Sequence, residues 1–208
     1  MPRYLVICGH AQGVGKTALV VDIIRAFPEV GWTVVKLSPH GHGAGLKRPA
    51  PGEGSVPLPR VVLQEERDIG GRSGSSRVLA AGARRSFWLR TPEGSILDGM
   101  KKLRPKLEGA EFVVFESNAV LEVVGPHLCL MVLDPATPEF KESARRNLER
   151  VDAFVARGSL AGVGWEEIPG ELLVSKPVFE QRLGAPLPEG LLLLIRNRLF
   201  APVHPATT

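Results

Sequence analysis

"CGHAQGVGKTAL", residues 8–19, decides how the rest of the chain is read. Phosphate-binding loops commonly run glycine, four residues, then Gly-Lys-Ser/Thr. Counting back from Gly15, the residue in the glycine place is His10, and Gly9 stands one position earlier. The loop is therefore one residue longer than the common form. Its flanks are those the motif requires. "RYLVICG" (3–9) is an apolar run ending in glycine, as in a strand buried on both faces. "KTALVVDIIRAF" (16–27) has the length of a helix, and Pro28 stops it. Such a strand–loop–helix turn lets backbone N–H groups curl around an oxyanion at the positive end of a helix. Phosphates are thus expected on Gln12, Gly13, Val14, Gly15, Lys16, Thr17 and Ala18, with Lys16 supplying the side-chain charge. His10 reads as lining the loop rather than facing the phosphates.

Further along, apolar runs alternate with helix-length segments. Strands are expected at 32–37, 60–68, 85–90, 111–117, 127–134 and 151–157, and a short one near 171–174. Helices are expected at 75–83, at 91–107 opened by Thr-Pro-Glu, and at 137–151 capped by Thr137 with Pro138 at its first position. Residues 190–200 close the pattern as a helix or strand. This alternation predicts one α/β domain over 1–208, a doubly wound, mostly parallel sheet with helices on both faces. A long Gly/Pro-rich loop interrupts it at about 38–75. With few large apolar residues and Lys47, Arg48, Arg60 and Arg72 along it, residues 39–74 read as a lid that orders over an occupied site.

Composition narrows the partners. Apolar residues make up 44% and charged residues 23%, with a net charge of +4, an ordinary balance that accommodates an anionic ligand. No basic stripe interleaved with aromatics and no zinc-finger or RNA-binding signature is present, so nucleic acid is not the expected partner. The opening apolar run is too short for a signal peptide, and "LLLLI" (191–195) is too short to span a bilayer. A cytoplasmic location with no membrane association is the expectation. Cys8 and Cys129 sit in apolar runs and read as buried free thiols.

Other residues complete the candidate site. Glu116 ends "FVVFE"; an acidic side chain at the carboxyl end of a parallel strand beside a phosphate loop is where Mg²⁺ or its waters are held, together with Thr17. Asp134, ending "LMVLD", is the competing strand end, and Asp22 reads as a solvated or paired helix residue. Lys36 closes the second strand at the same sheet edge and joins Lys16 and Glu116 as a candidate catalytic group. His40 and His42 in "SPHGHG" are too few to form a metal ligand set on their own.

The longer loop with "GVGKT" at its end resembles the dethiobiotin synthetase branch of P-loop NTPases. Lys36 and His40 after the second strand, Arg77 followed by Ala81-Gly82-Ala83, and Glu116 resemble the molybdopterin-guanine dinucleotide biosynthesis protein B (MobB) family over roughly residues 1–135. Ser38-Pro39, Ser75 and Asn118 depart from that pattern, where the family has histidine, aspartate and glycine. The resemblance implies GTP binding, weak hydrolysis and a role in molybdenum cofactor maturation, with a pterin cofactor or a pathway enzyme as partner. A homodimer is compatible with it. ATP stays open as the nucleotide, because no guanine-specific Asn/Thr-Lys-x-Asp run is present. An ATP-dependent small-molecule ligase or kinase, and a non-catalytic nucleotide-switched binding module, are the competing readings.

Overall fold

The computed structural model describes residues 2–39, 61–92, 94–163, 165 and 170–201. The eight-stranded sheet has the order β3-β4-β2-β5-β1-β6-β7-β8. Its strands are β1 (Arg3–Gly9), β2 (Thr33–Pro39), β3 (Val62–Glu66), β4 (Arg85–Thr91), β5 (Phe112–Glu116), β6 (Leu128–Leu133), β7 (Ala153–Ala156) and β8 (Val178–Glu180). All neighbours run parallel except β3, which lies antiparallel to β4 at one edge. The expected doubly wound α/β architecture is the one observed.

Why the central strands lack polar alternation is plain from what covers them. On one face α1 (Lys16–Ala26), α2 (Gly74–Ala80) and α6 (Glu189–Ile195) pack on Leu5, Ile7, Val34, Val114 and Leu130. On the other, α3 (Ile96–Leu103), α4 (Glu142–Arg145) and short 3₁₀ turns pack on Val6, Val35, Phe87, Phe115 and Met131. At the amino ends of the strands, Trp32 and Phe112 meet Phe200, and Phe200 meets Phe27, with edge-on or tilted rings 5.2–6.1 Å apart. Arg3 donates to the Leu199 carbonyl and, at 2.7 Å, to that of Ala201, so the end of the described chain is fastened beneath β1. None of the described helices is long and apolar enough to cross a membrane.

Several elements differ from their expected bounds. The helix expected over 137–151 shrinks to α4 and a 3₁₀ turn, Leu148–Arg150. Thr137 does not cap it: its hydroxyl donates to Asp134 (3.3 Å), whose carboxylate also accepts the N–H of Ala136 (3.0 Å). That turn leaves 138–141 extended across His10, where Lys141 N–H meets the His10 carbonyl at 2.8 Å and Phe140 packs on the imidazole. Thr91 belongs to β4, so the third helix opens at Ile96, not at Thr-Pro-Glu. Residues 171–174 lie within α5 (Gly170–Ser175) and the strand follows at Val178, because a short apolar run has no period of its own. The last segment is helical, α6 continuing into a wider turn at Arg196–Phe200. Of the expected 38–75 loop, β2 takes 38–39, β3 and the α2 cap occupy part of 61–74, and the lid expectation over 40–60 lies outside the described residues.

Gly99 marks where α3 meets the sheet most closely. A Cβ there would stand 2.4 Å from Thr91 Cγ2 and 3.3 Å from Leu89, both buried and one of them β-branched. Gly99→Ala gains about 1 kcal/mol of helix propensity but overpacks a stiff contact at about 1–3 kcal/mol. Urea unfolding is expected to show net destabilisation; an unchanged or raised midpoint would contradict this packing.

Candidate functional site

The loop between β1 and α1 folds back on the strand that feeds it. An added Cβ at Gly9 would lie 2.7 Å from Val14 Cγ2 and 3.0 Å from the Lys16 stem, so only glycine fits. Gly9, one position early in the sequence, is therefore the glycine the loop depends on. Gly15 precedes α1 with φ 91°, a left-handed conformation that favours glycine. From there the first turn of α1 presents Lys16, Thr17 and Ala18, whose N–H groups belong to the turn that lacks intrahelical acceptors.

The sheet brings the acidic and basic candidates to this turn. Register places Ile7, Glu116 and Lys36 side by side on β1, β5 and β2. Thr17 Oγ1 donates to the Glu116 carboxylate, 2.8 Å from both oxygens, and Lys36 Nζ stands 3.4 Å from Oε1. Lys16 Nζ donates to the Ala11 carbonyl at 3.3 Å. Burial pulls the Lys16 ammonium below its ordinary range; Glu116 opposes this, and Lys141 and Lys36 add to it. Thr17 and Lys36 thus meet at Glu116, and Lys16 lies within their electrostatic reach. Gln12 is exposed at the loop's outer side and Val14 is buried under it.

Asp134 is occupied elsewhere, in the turn with Ala136 and Thr137, and its N–H donates to His10 Nε2 at 3.1 Å. Since Nε2 accepts, the His10 proton sits on Nδ1 and is donated to the Glu139 carbonyl at 3.1 Å. Phe140 and Trp165 pack on the ring, with centroids 5.4 and 4.7 Å away. His10 is a buried structural pin that fixes the loop's start. Asp22 is paired, through Gln181, whose Nε2 donates to it at 3.0 Å. Cys8 and Cys129 are buried free thiols with sulfurs 3.9 Å apart; their mutual contact and burial raise the Cys8 thiol well above its usual range. His40 and His42 lie outside the described residues.

Three residues that sequence reasoning did not assign hold the loop. Asn118 brackets Gly9, accepting its N–H and donating to its carbonyl, each at 2.9 Å. Arg157, just past β7, donates to the Gly15 carbonyl at 2.7 Å and to Gln181. Lys141, at the start of α4, donates its backbone N–H to the His10 carbonyl at 2.8 Å, and its ammonium adds to the positive field at Lys16. Position after a strand was the available signal for Asn118 and Arg157, but only the fold shows what they touch.

A divalent cation fits the hydroxyl and carboxylate oxygens of Thr17 and Glu116, hard donors of the kind Mg²⁺ takes. Among the described residues there is no group of three or more His, Cys, Asp or Glu that could hold a metal ion.

No family model and no curated protein sequence matches the chain. Among solved structures it is similar to HypB from Helicobacter pylori, crystallised in complex with nickel: TM-score 0.55, 14% identity, 98% of this chain and 91% of that one covered. It also matches LpxK from Aquifex aeolicus in complex with ATP, at TM-score 0.46 and 15% identity, spanning 86% of this chain and 53% of that one. The fold is that of the P-loop NTPases. At such identities the likeness to HypB establishes architecture, and the chemistry rests on the residues described above.

His10 carries a testable pH signature. Burial pushes its imidazole down to about 4 from the usual 6.5, only partly offset by Asp134. A depressed histidine stabilises the fold fully above the unfolded value and loses that contribution as pH falls toward the folded one. Unfolding free energy is therefore expected to drop by about 3 kcal/mol between neutral pH and the folded value. In His10→Gln the slope over this window should be shallower; an identical slope would assign it to other groups.

Proposed function

We propose that the chain binds a nucleoside triphosphate with Mg²⁺ and hydrolyses it slowly, GTP being the nucleotide its resemblance to the MobB family favours. The observation that carries the reading is the junction of Thr17, Glu116 and Lys36 at the mouth of a loop whose Gly9 and Gly15 admit no other residue without strain or collision. Backbone N–H groups of the loop hold the phosphates, and Lys16 leaves the Ala11 carbonyl for the β- and γ-phosphate oxygens. Mg²⁺ bound at Thr17 and Glu116 would neutralise charge on those oxygens. Lys36, held beside Glu116, would meet the negative charge that builds up as the terminal phosphoryl departs. Positioning and electrostatics of this kind support slow turnover.

The biological reading is a MobB-like factor in molybdenum cofactor maturation, acting on a pterin cofactor or a pathway enzyme. Lys36, Arg77, Ala81-Gly82-Ala83 and Glu116, as residues that resemble that family's pattern, support it.

Calorimetry with GTP, ATP and their diphosphates in Mg²⁺ tests the proposal. Lys16→Ala is expected to weaken triphosphate binding by about 2 kcal/mol. Equal affinity in the variant would remove the phosphate site from this loop. Glu116→Gln should abolish most Mg²⁺-dependent phosphate release while diphosphate binding persists. A larger effect from Asp134→Asn would move the metal to the neighbouring strand.

A further inference from the structure

Among the described residues, the buried side-chain polar atoms without a hydrogen-bond partner are Ser86 Oγ, Trp88 Nε1, Arg90 Nε and Arg157 Nε. Arg157 is otherwise bonded within the loop's support. The other three occupy alternate positions of one strand, β4, so they project from a single face. Which face is settled by the register. Ser86 lies opposite Val34, Trp88 opposite Lys36 and Arg90 opposite Ser38, and Val34 packs under α1 and α2. The row is therefore on the side of the sheet that carries Glu116 and Thr17.

Buried donors are almost always satisfied, because an unmet one gives up its bonds to water and gains none in return. The three fall in line along β4 beside the candidate phosphate site. Trp88 and Lys36 are cross-strand neighbours, and Lys36 touches Glu116. The Arg90 guanidinium stacks over the Trp88 ring, 4.4 Å from its centroid, which holds both groups in a fixed plane. Indole N–H, guanidinium and ammonium are donors without acceptor capacity. The acceptors on this face come from Gln64 and Glu66 on β3, opposite Trp88 and Ser86, and Glu66 is already taken by Ser73 and Ser75, so what stays unmet at Trp88 and Arg90 is donors, which an oxyanion satisfies.

The geometry points to a second ligand site on the carboxyl half of β4, in which Trp88 and Arg90 bind the carboxylate or phosphate group of a small-molecule cosubstrate next to the γ-phosphate. The inference rests on the nucleotide reading for its neighbour, not for its own donors. Arg90 supplies the charge and the forked edge, and Trp88 fixes the fork and adds one N–H. Lys36 stands between this anion and the nucleotide, and screens their repulsion.

The protein, saturated with Mg²⁺ and a non-hydrolysable GTP or ATP analogue to fill the phosphate loop, is titrated with benzoate and separately with phenyl phosphate at millimolar concentration. Binding is read by tryptophan fluorescence and calorimetry, and each titration is repeated without nucleotide. At least one probe is expected to bind, and the two arms tell carboxylate from phosphate. Arg90→Gln should weaken that probe by about tenfold or more. Trp88→Phe, which keeps a ring and removes one donor, should weaken it by about fivefold and serves if Arg90→Gln does not fold. Nucleotide affinity should be unchanged in both variants. Failure of both probes to bind, or undiminished binding by the variants, overturns the site. Loss of nucleotide binding in the unmutated protein would instead overturn the function proposed above.

Discussion

A carboxylate buried at the end of a central strand is tolerable only when other groups meet its charge. Glu116, 5% exposed, is met by the Thr17 hydroxyl and the Lys36 ammonium. Much of the candidate site follows from that condition. Thr17 reaches Glu116 because α1 starts directly above β1, and Lys36 reaches it because β2 lies on the other side of β5. The strand order is thus also an electrostatic arrangement, with the anion in the middle, a cation on the β2 side and a donor hydroxyl above β1. The phosphate loop closes over the same point, where Gly9 leaves room for Val14 and for the stem of Lys16.

Around this centre the chain spends polar groups on holding the loop still. Asn118 grips Gly9 at its start, His10 is locked between Asp134 and Glu139 next to it, and Arg157 grips Gly15 at its end. Each holder comes from the exit of a different strand or the turn beyond it. Such a loop is preorganised, its N–H groups already in place for the phosphate proposed above.

The central strands and α1 were legible because their signal is local: strands covered on both faces read as unbroken apolar runs, and the loop motif fixes where the helix starts. Glu116 and Lys36 were legible because parallel strands deliver their carboxyl ends to one edge. What failed to read was tertiary. Thr137-Pro138-Glu139 has every mark of a helix start, yet Asp134 and the need to cover His10 draw those residues into an extended path. The short run at 171–174 has no decisive period, and Pro177 sets where its helix gives way to β8. Arg157 could not be read as a loop support, because its partners Gly15 and Gln181 adjoin it only after folding.

The pairing of β1 has a consequence for the order in which the molecule is assembled. Its first residue sits beside Phe112 and its third beside Leu128, while the nearer strand in the chain, β2, lies beyond β5. A nascent chain that has only reached β2 has no sheet in which to place β1, and the first helix waits with its apolar side uncovered. Contacts this distant make for slow folding and for exposed strand edges until synthesis passes β6. The loop's grips arrive equally late, Asn118 with β5 and Arg157 with β7. A ligand of this loop therefore has no partial fold to recognise. It acts on the finished molecule, adding its binding free energy to the whole cooperative unit rather than templating a part of it.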